Sequence, residues 1–228
     1  MQSTRVTKQA EIRVEDLKPL PRSFYEPSAK VVAPKLIGHY LIRRTESGFA
    51  GGPIVETEAY VENDPACHAF CGPTKRNQVM FGEPGYAYVY LIYGFYYCFN
   101  AVCKPPGKGE AVLVRAIEPV FGVEYMRGNR EVDDERNLTS GPGKLCKALE
   151  IERGLDGVDL TDATSELFVC ENPDLKGWWK THGPMVTTTR IGLTKAADWP
   201  LRWYAEKHPH VSKRAKRPMA EKTLKPNS

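Results

Sequence analysis

Residues 54–60 read IVETEAY, and an extended chain sends every second side chain to the same side. Glu56, Glu58 and Tyr60 therefore share one face of a strand. Carboxylates are rarely buried without partners, so this face is either a solvent-facing edge or a place where chemistry is done. Two carboxylates about 7 Å apart, the i to i+2 distance on a strand, invite the paired-acid chemistry of sugar hydrolysis. Side chains on one strand stand side by side, however, and do not easily flank a bond from opposite sides.

Two further segments carry chemistry. The loop DPACHAFCGPTKRNQVMF (64–81) holds His68, which fits a ligand, an acid/base or a packed core residue, and Lys75 and Arg76, which fit phosphate contacts. Residues 88–100, YVYLIYGFYYCFN, crowd five of the chain's eleven tyrosines around Gly94. Burial explains Tyr88 or Phe99. It explains Tyr93 poorly, because a bulky ring beside a turn glycine is costly to expose unless it contacts something. An aromatic wedge entering a base stack is one such contact.

The elements that must position these residues are legible from periodicity. SAKVVAPKLIGHYLIRR predicts a helix before Gly38 and a strand after it, and FAGGPIVETEAYVE predicts a second strand turning at Ser47–Gly48. Residues 62–85 read as a long functional loop. The alternation from Ala87 predicts a hairpin with Tyr93 at or near its tip, followed by the strand EAVLVRAIEPV. Residues 119–136 read as helical, and TSGPGKLCKALEIE as a helix capped by Thr139 or Ser140 with Pro142 in its first turn. ELFVCEN and TTTRIGL predict one more strand pair. The sum is a single α+β domain over residues 26–212, with a loosely attached polar leader at 1–25 and a basic tail at 213–228.

With 228 residues, 41% apolar and 26% charged, the chain is ordinary for a globular protein. No apolar run approaches the ~18 residues that span a bilayer, and no apolar h-region of a secretory signal is visible, so no membrane role and an intracellular location are expected. The six cysteines then read as reduced thiols. Cys67 and Cys71 flank His68 but form no C-x-x-C pair, and a zinc site there is the weaker reading. Of the net charge of +4, residues 205–228 alone carry seven Lys/Arg against two Glu, so the rest is close to neutral.

Six ordered segments, IVETEAY, the DPACHA loop to His68, TKRNQVMF, YVYLIYGFYYCFN, VLVRAIEP and SGPGKLCKAL, together with the weaker RIGLTKAADWPLRWY, resemble the alkyladenine (3-methyladenine) DNA glycosylase family from about Ser28 to about Ser212. The resemblance implies a curved, largely antiparallel sheet with surrounding helices and a protruding hairpin that intercalates into DNA. It also implies a monofunctional glycosylase of base excision repair, acting as a monomer on double-stranded DNA. Such an enzyme flips alkylated or deaminated purines (3-methyladenine, 7-methylguanine, hypoxanthine, ethenoadenine) and hydrolyses their N-glycosidic bond.

By that resemblance Tyr93 fills the vacated slot, and Tyr60, His68 and Tyr90 sandwich the base. Asn100 matches the position that discourages normal guanine, Glu58 the catalytic base and Arg115 the residue that holds it. Lys144 is placed for a phosphate near a helix start, with Lys75, Arg76, Lys104 and Lys108 contributing to the DNA face. Glu56 is expected to support the site from behind or to pack, while Tyr88, Phe95 and Phe99 are expected beneath the pocket. No cofactor and no metal are implied, and the location follows the DNA: cytoplasm in a prokaryote, nucleus in a eukaryote. The alternatives are a non-enzymatic single-stranded nucleic-acid binder stacking bases on its tyrosines, which leaves Glu58 without a purpose, and a sugar glycosidase, which leaves Tyr93 without one.

Overall fold

The computed structural model describes residues 12–215. Residues 1–11 of the polar leader and 216–228 of the basic tail lie outside them. The architecture is an eight-stranded sheet, antiparallel at every pairing and not closed into a barrel. Among the described residues four α-helices surround it. No helix among the described residues is long and apolar enough to cross a membrane.

In chain order the elements are α1 (Ala29–Leu36), β1 (Tyr40–Thr45), β2 (Gly48–Tyr60), β3 (Ala87–Ile92), β4 (Tyr96–Cys103), β5 (Glu110–Ile117), α2 (Val123–Asn129), α3 (Pro142–Ala148), β6 (Leu167–Cys170), α4 (Leu175–His182), β7 (Met185–Thr188) and β8 (Arg202–Ala205). The thirteen-residue β2 organises the sheet. Its first half pairs with β1, its second half with β8 on the same edge, and β5 lies along its other edge. Gly52 allows the crowding beside this junction, since a Cβ there would fall 1.9 Å from the Glu118 carbonyl oxygen.

Helix α1 buries Ala29, Val32, Ala33 and Leu36, an i, i+3, i+4, i+7 stripe, against the sheet. The Glu110 carboxylate caps it, accepting from the Ala29 N–H at 2.9 Å and the Ser28 hydroxyl at 2.7 Å. One core runs from α1 through the central strands to α3, with Ile54, Val114, Phe99 and Leu145 all buried.

Four expectations need correction. Residues 12–25 are no loose leader: Leu20 and Tyr25 are buried, and the Leu20 N–H donates to the Val169 carbonyl. Only 123–129 of the segment 119–136 forms an α-helix. Helix α3 begins on Gly141, at φ 147, without a side-chain cap, because the Thr139 hydroxyl is drawn away to the Ile117 carbonyl at 2.6 Å. Strands β6 and β7 do not pair with each other: β6 completes the edge beside β1, and β7 pairs with β8.

At the start of β1, burial alone pushes His39 down to about 4 from its ordinary 6.5, and its Nδ1 accepts the Asn172 N–H at 3.1 Å. A base whose folded-state value is depressed stabilises fully above its ordinary value and loses that contribution as pH falls toward the folded one. Stability is therefore expected to drop by on the order of 3 kcal/mol between about pH 6.5 and about pH 4. Urea unfolding of His39→Gln across that interval should show a shallower slope than the parent. Parallel curves would refute the assignment.

Candidate active site

The central strands place the chemistry. On β2, Thr57 faces α1, its hydroxyl donating to the Ala33 carbonyl, so Glu56 and Glu58 face the opposite side. Both carboxylates have no exposed surface, which excludes the solvent-edge alternative. The pairing of β2 with β5 is irregular between Ile54 and Thr57. Arg115 on β5 reaches both acids, with its Nε 3.2 Å from Glu56 Oε1 and its Nη1 3.2 Å from Glu58 Oε1. Burial opposes the Arg115 charge, but Glu58 and then Glu56 outweigh it, and the guanidinium titrates above its ordinary value.

Every oxygen of the acid pair has a donor. Glu58 Oε1 accepts the Ile191 N–H at 2.8 Å, and Oε2 accepts the Tyr60 hydroxyl at 2.9 Å. Glu56 Oε1 also accepts from Arg202 Nη1 at 2.7 Å, and its Oε2 from the Ser212 N–H at 2.7 Å. Glu56 thus contacts Arg115 from behind, while Glu58 is held by donors that reach toward the cleft. Burial, reinforced by Glu58, raises Tyr60 far above the usual phenol range and keeps its hydroxyl protonated.

Periodicity gives no hint of a further buried ion pair, which completes the cluster. Arg190 and Asp64 are both fully buried, bonded through two contacts, of which Arg190 Nη2 to Asp64 Oδ1 is 3.0 Å. The Arg190 guanidinium lies 4.6 Å from the centre of the Tyr60 ring, a cation against an aromatic face. Three buried guanidinium groups therefore balance three buried carboxylates: Arg115, Arg190 and Arg202 against Glu56, Glu58 and Asp64.

A cleft of about 340 Å³ opens in front of this charge cluster. Tyr60, His68, Tyr90, Tyr93, Asn100 and Arg115 all line it, joined by Ile191, Gly192 and Leu193 from the segment after β7. Glu58 does not line the opening; its partners Tyr60, Arg115 and Ile191 do. The His68 ring meets Tyr90 edge-on at 4.5 Å, and its Nδ1 is 3.0 Å from the Tyr88 hydroxyl. Enclosure by these rings, then the Arg76 charge, holds the imidazole below its ordinary value. Tyr88 and Tyr90 stack at 5.3 Å. The Asn100 amide donates to the Tyr88 carbonyl at 3.2 Å, which fixes the orientation of its side chain.

The hairpin β3–β4 overhangs the cleft through a three-residue turn, with Ile92 paired to Tyr96. Tyr93 is 76% exposed and sits at φ 54. That left-handed conformation costs a bulky residue about 1–2 kcal/mol, so the turn tolerates strain to keep a tyrosine at its tip. Phe95 is 67% exposed, contrary to the expectation of a core position, because it belongs to the turn and has no sheet layer above it. Tyr88 and Phe99 are buried as expected.

The expected phosphate contacts are dispersed. Lys75 is exposed. Arg76 lies 5.9 Å over the Tyr90 ring and donates to the Leu91 carbonyl at 2.9 Å, bracing the hairpin. Lys144 donates to Asn137 at 3.0 Å. Lys104 and Lys108 pair with Glu110 and Glu62 at 3.7 and 3.5 Å. Cys67 is buried, and burial pushes its thiol up to about 11, so it packs as an inert thiol.

Comparison with known proteins returns one consistent picture. A family model described as methylpurine-DNA glycosylase (MPG) matches residues 23–209. A protein of Carboxydothermus hydrogenoformans named "Putative 3-methyladenine DNA glycosylase" is 47% identical over 195 residues, covering 86% of this chain and 99% of its own. A protein of the same name from Methanoculleus marisnigri is 48% identical over 196 residues, with the same coverage. One from Rhodopseudomonas palustris is 48% identical over 185 residues, 81% of this chain and 83% of its own.

Proposed function

Since the chain belongs to the methylpurine-DNA glycosylase family, and is thus a DNA-repair hydrolase acting on N-glycosyl bonds, we propose that it extrudes single damaged purines from duplex DNA and releases them with a water activated by Glu58. The observation that carries this reading is the buried Glu58–Arg115 pair behind an aromatic cleft, overhung by the exposed ring of Tyr93. The purely binding alternative falls with membership of an enzyme family.

Extrusion leaves a gap in the stack and costs a few kcal/mol. Tyr93 fills that gap from the minor-groove side, while Tyr60 and His68 close on one face of the purine and Tyr90 on the other. Ring faces attract cationic or electron-poor purines by roughly 0.5–2 kcal/mol, which favours 3-methyladenine and 7-methylguanine. Hypoxanthine and ethenoadenine are accommodated by the same stacking, and the Asn100 amide crowds the 2-amino group of guanine.

In the chemical step the bond from C1′ to the base nitrogen breaks and its electrons leave with the base. The sugar left behind resembles an oxocarbenium ion. A water oxygen bonds to C1′, and its proton passes to Glu58. Glu58 Oε2 is covered by the Tyr60 hydroxyl at 2.9 Å, so Tyr60 must release it as its ring turns onto the purine. Arg115 keeps the carboxylate aimed while Glu56 holds Arg115. Among the described residues no lysine lines the cleft to form a Schiff base, so the backbone stays intact. The working unit is a monomer inside the cell, without a cofactor, and Lys75, Arg76 and Lys144 meet phosphates flanking the lesion.

A duplex bearing one ethenoadenine or hypoxanthine tests this. Strand breakage is expected only after alkali treatment; breakage without alkali, or no base release from any of these lesions, would contradict it. Replacing Tyr93 by Ser should weaken lesion-duplex binding by about tenfold, in line with the ~1–3 kcal/mol of one base–aromatic stack. Unchanged affinity together with an unchanged single-turnover rate would remove Tyr93 from the gap.

A further inference from the structure

A second cluster of ligand-type side chains lies outside the cleft. Glu118 follows β5, His182 ends α4 and His208 follows β8, and one donor atom from each lies within 4.8 Å of the other two. His208 Nε2 is 3.1 Å from Glu118 Oε2, and the His182 and His208 rings are 4.4 Å apart. None of the three lines the cleft, and the reaction described above uses none of them.

We propose that Glu118, His182 and His208 form a structural zinc site, which the neighbouring His210 completes by moving toward them. Zinc takes imidazole and carboxylate ligands at about 2.0–2.2 Å in a tetrahedron, which sets neighbouring ligand atoms about 3.3 Å apart. The donor atoms of the three now lie within 4.8 Å of one another, so they must draw together when the metal binds. His182 is already oriented for it: its Nδ1 is 3.0 Å from the Trp178 carbonyl, which leaves Nε2 for the metal. His208 Nδ1 meets only the His210 N–H, at a long 3.4 Å.

The independent sign is His210. It is 7% exposed, both its ring nitrogens are buried without a partner, and its ring is 5.6 Å from that of His208. A buried imidazole with two idle nitrogens is unusual, and a cation between it and its neighbours would supply a partner for one of them. Donors of nitrogen and oxygen without thiolate suit zinc among the abundant divalent metals better than magnesium or calcium. The metal would rivet residues 206–214 to the sheet, the segment whose Ser212 N–H grips Glu56.

The test is zinc retention by the full chain after chelator treatment, read by dialysis against zinc chloride and by cobalt(II) spectroscopy. One equivalent is expected, with a cobalt spectrum free of thiolate charge transfer. His182→Gln and the milder Glu118→Gln should each weaken retention at least tenfold, while base excision measured without metal stays at the parent level. Failure to retain zinc would overturn the site and leave a hydrogen-bonded aromatic stack. Retention unchanged in both variants, or a thiolate signature lost in Cys71→Ser, would overturn it equally.

Discussion

Glu58→Gln is expected to abolish base release while leaving lesion-duplex binding intact. The amide matches the carboxylate in shape. Its oxygen still accepts from Arg115 and the Ile191 N–H, and its NH2 meets the oxygen of the Tyr60 hydroxyl, so the fold survives. What disappears is the acceptor for the water proton and the negative charge beside the developing oxocarbenium ion. A general base is worth roughly 10²–10⁴-fold and a preorganised charge about 10²–10³-fold. The two losses fall on one side chain, so single-turnover excision should drop at least ~10³-fold. Residual excision within tenfold of the parent would show that another group takes the proton.

The largest expected loss of stability is in Arg190→Met. Asp64 is fully buried, with the Arg190 guanidinium as its counter-charge. Removing one partner of such a pair strands the other and costs about 3–5 kcal/mol, a large share of the ~5–15 kcal/mol that holds a domain together. A melting temperature lower by roughly 10 °C follows. The same substitution strips the cation from the Tyr60 ring, so the surviving folded protein should bind lesions less tightly. The double variant Asp64→Leu/Arg190→Met should recover much of the melting temperature, because the stranded charge is gone. A single variant that melts with the parent would show that the pair does not carry this stability.

These two predictions divide cleanly by how visible their residues are in the sequence. Glu58 was legible because strand periodicity put it beside Glu56 and Tyr60, and Tyr93 because a ring next to a turn glycine has no inexpensive place to go. The sheet around them was legible wherever alternation ran for six residues or more, as in β2 to β5. Arg190 and Asp64 were not legible: 126 residues separate them, and a charge that will be buried looks the same in sequence as one on the surface. The histidine cluster was hidden for the same reason, since its members come from three separate segments. Strand β8 escaped because RWYA is only four residues long, and the buried Glu56–Arg202 contact that accompanies its pairing to β2 links residues 146 apart in sequence. Phe95 was misplaced because alternation says which way a strand residue points and nothing about a residue in the turn.

The most direct measurement is a crystal structure of Glu58→Gln bound to a duplex containing one ethenoadenine. The purine should lie between Tyr60 with His68 and Tyr90, its C1′ facing the residue at 58, with the Tyr93 ring stacked between the neighbouring base pairs. A lesion still paired inside the helix, or Tyr93 outside the groove with the cleft empty, would contradict the mechanism.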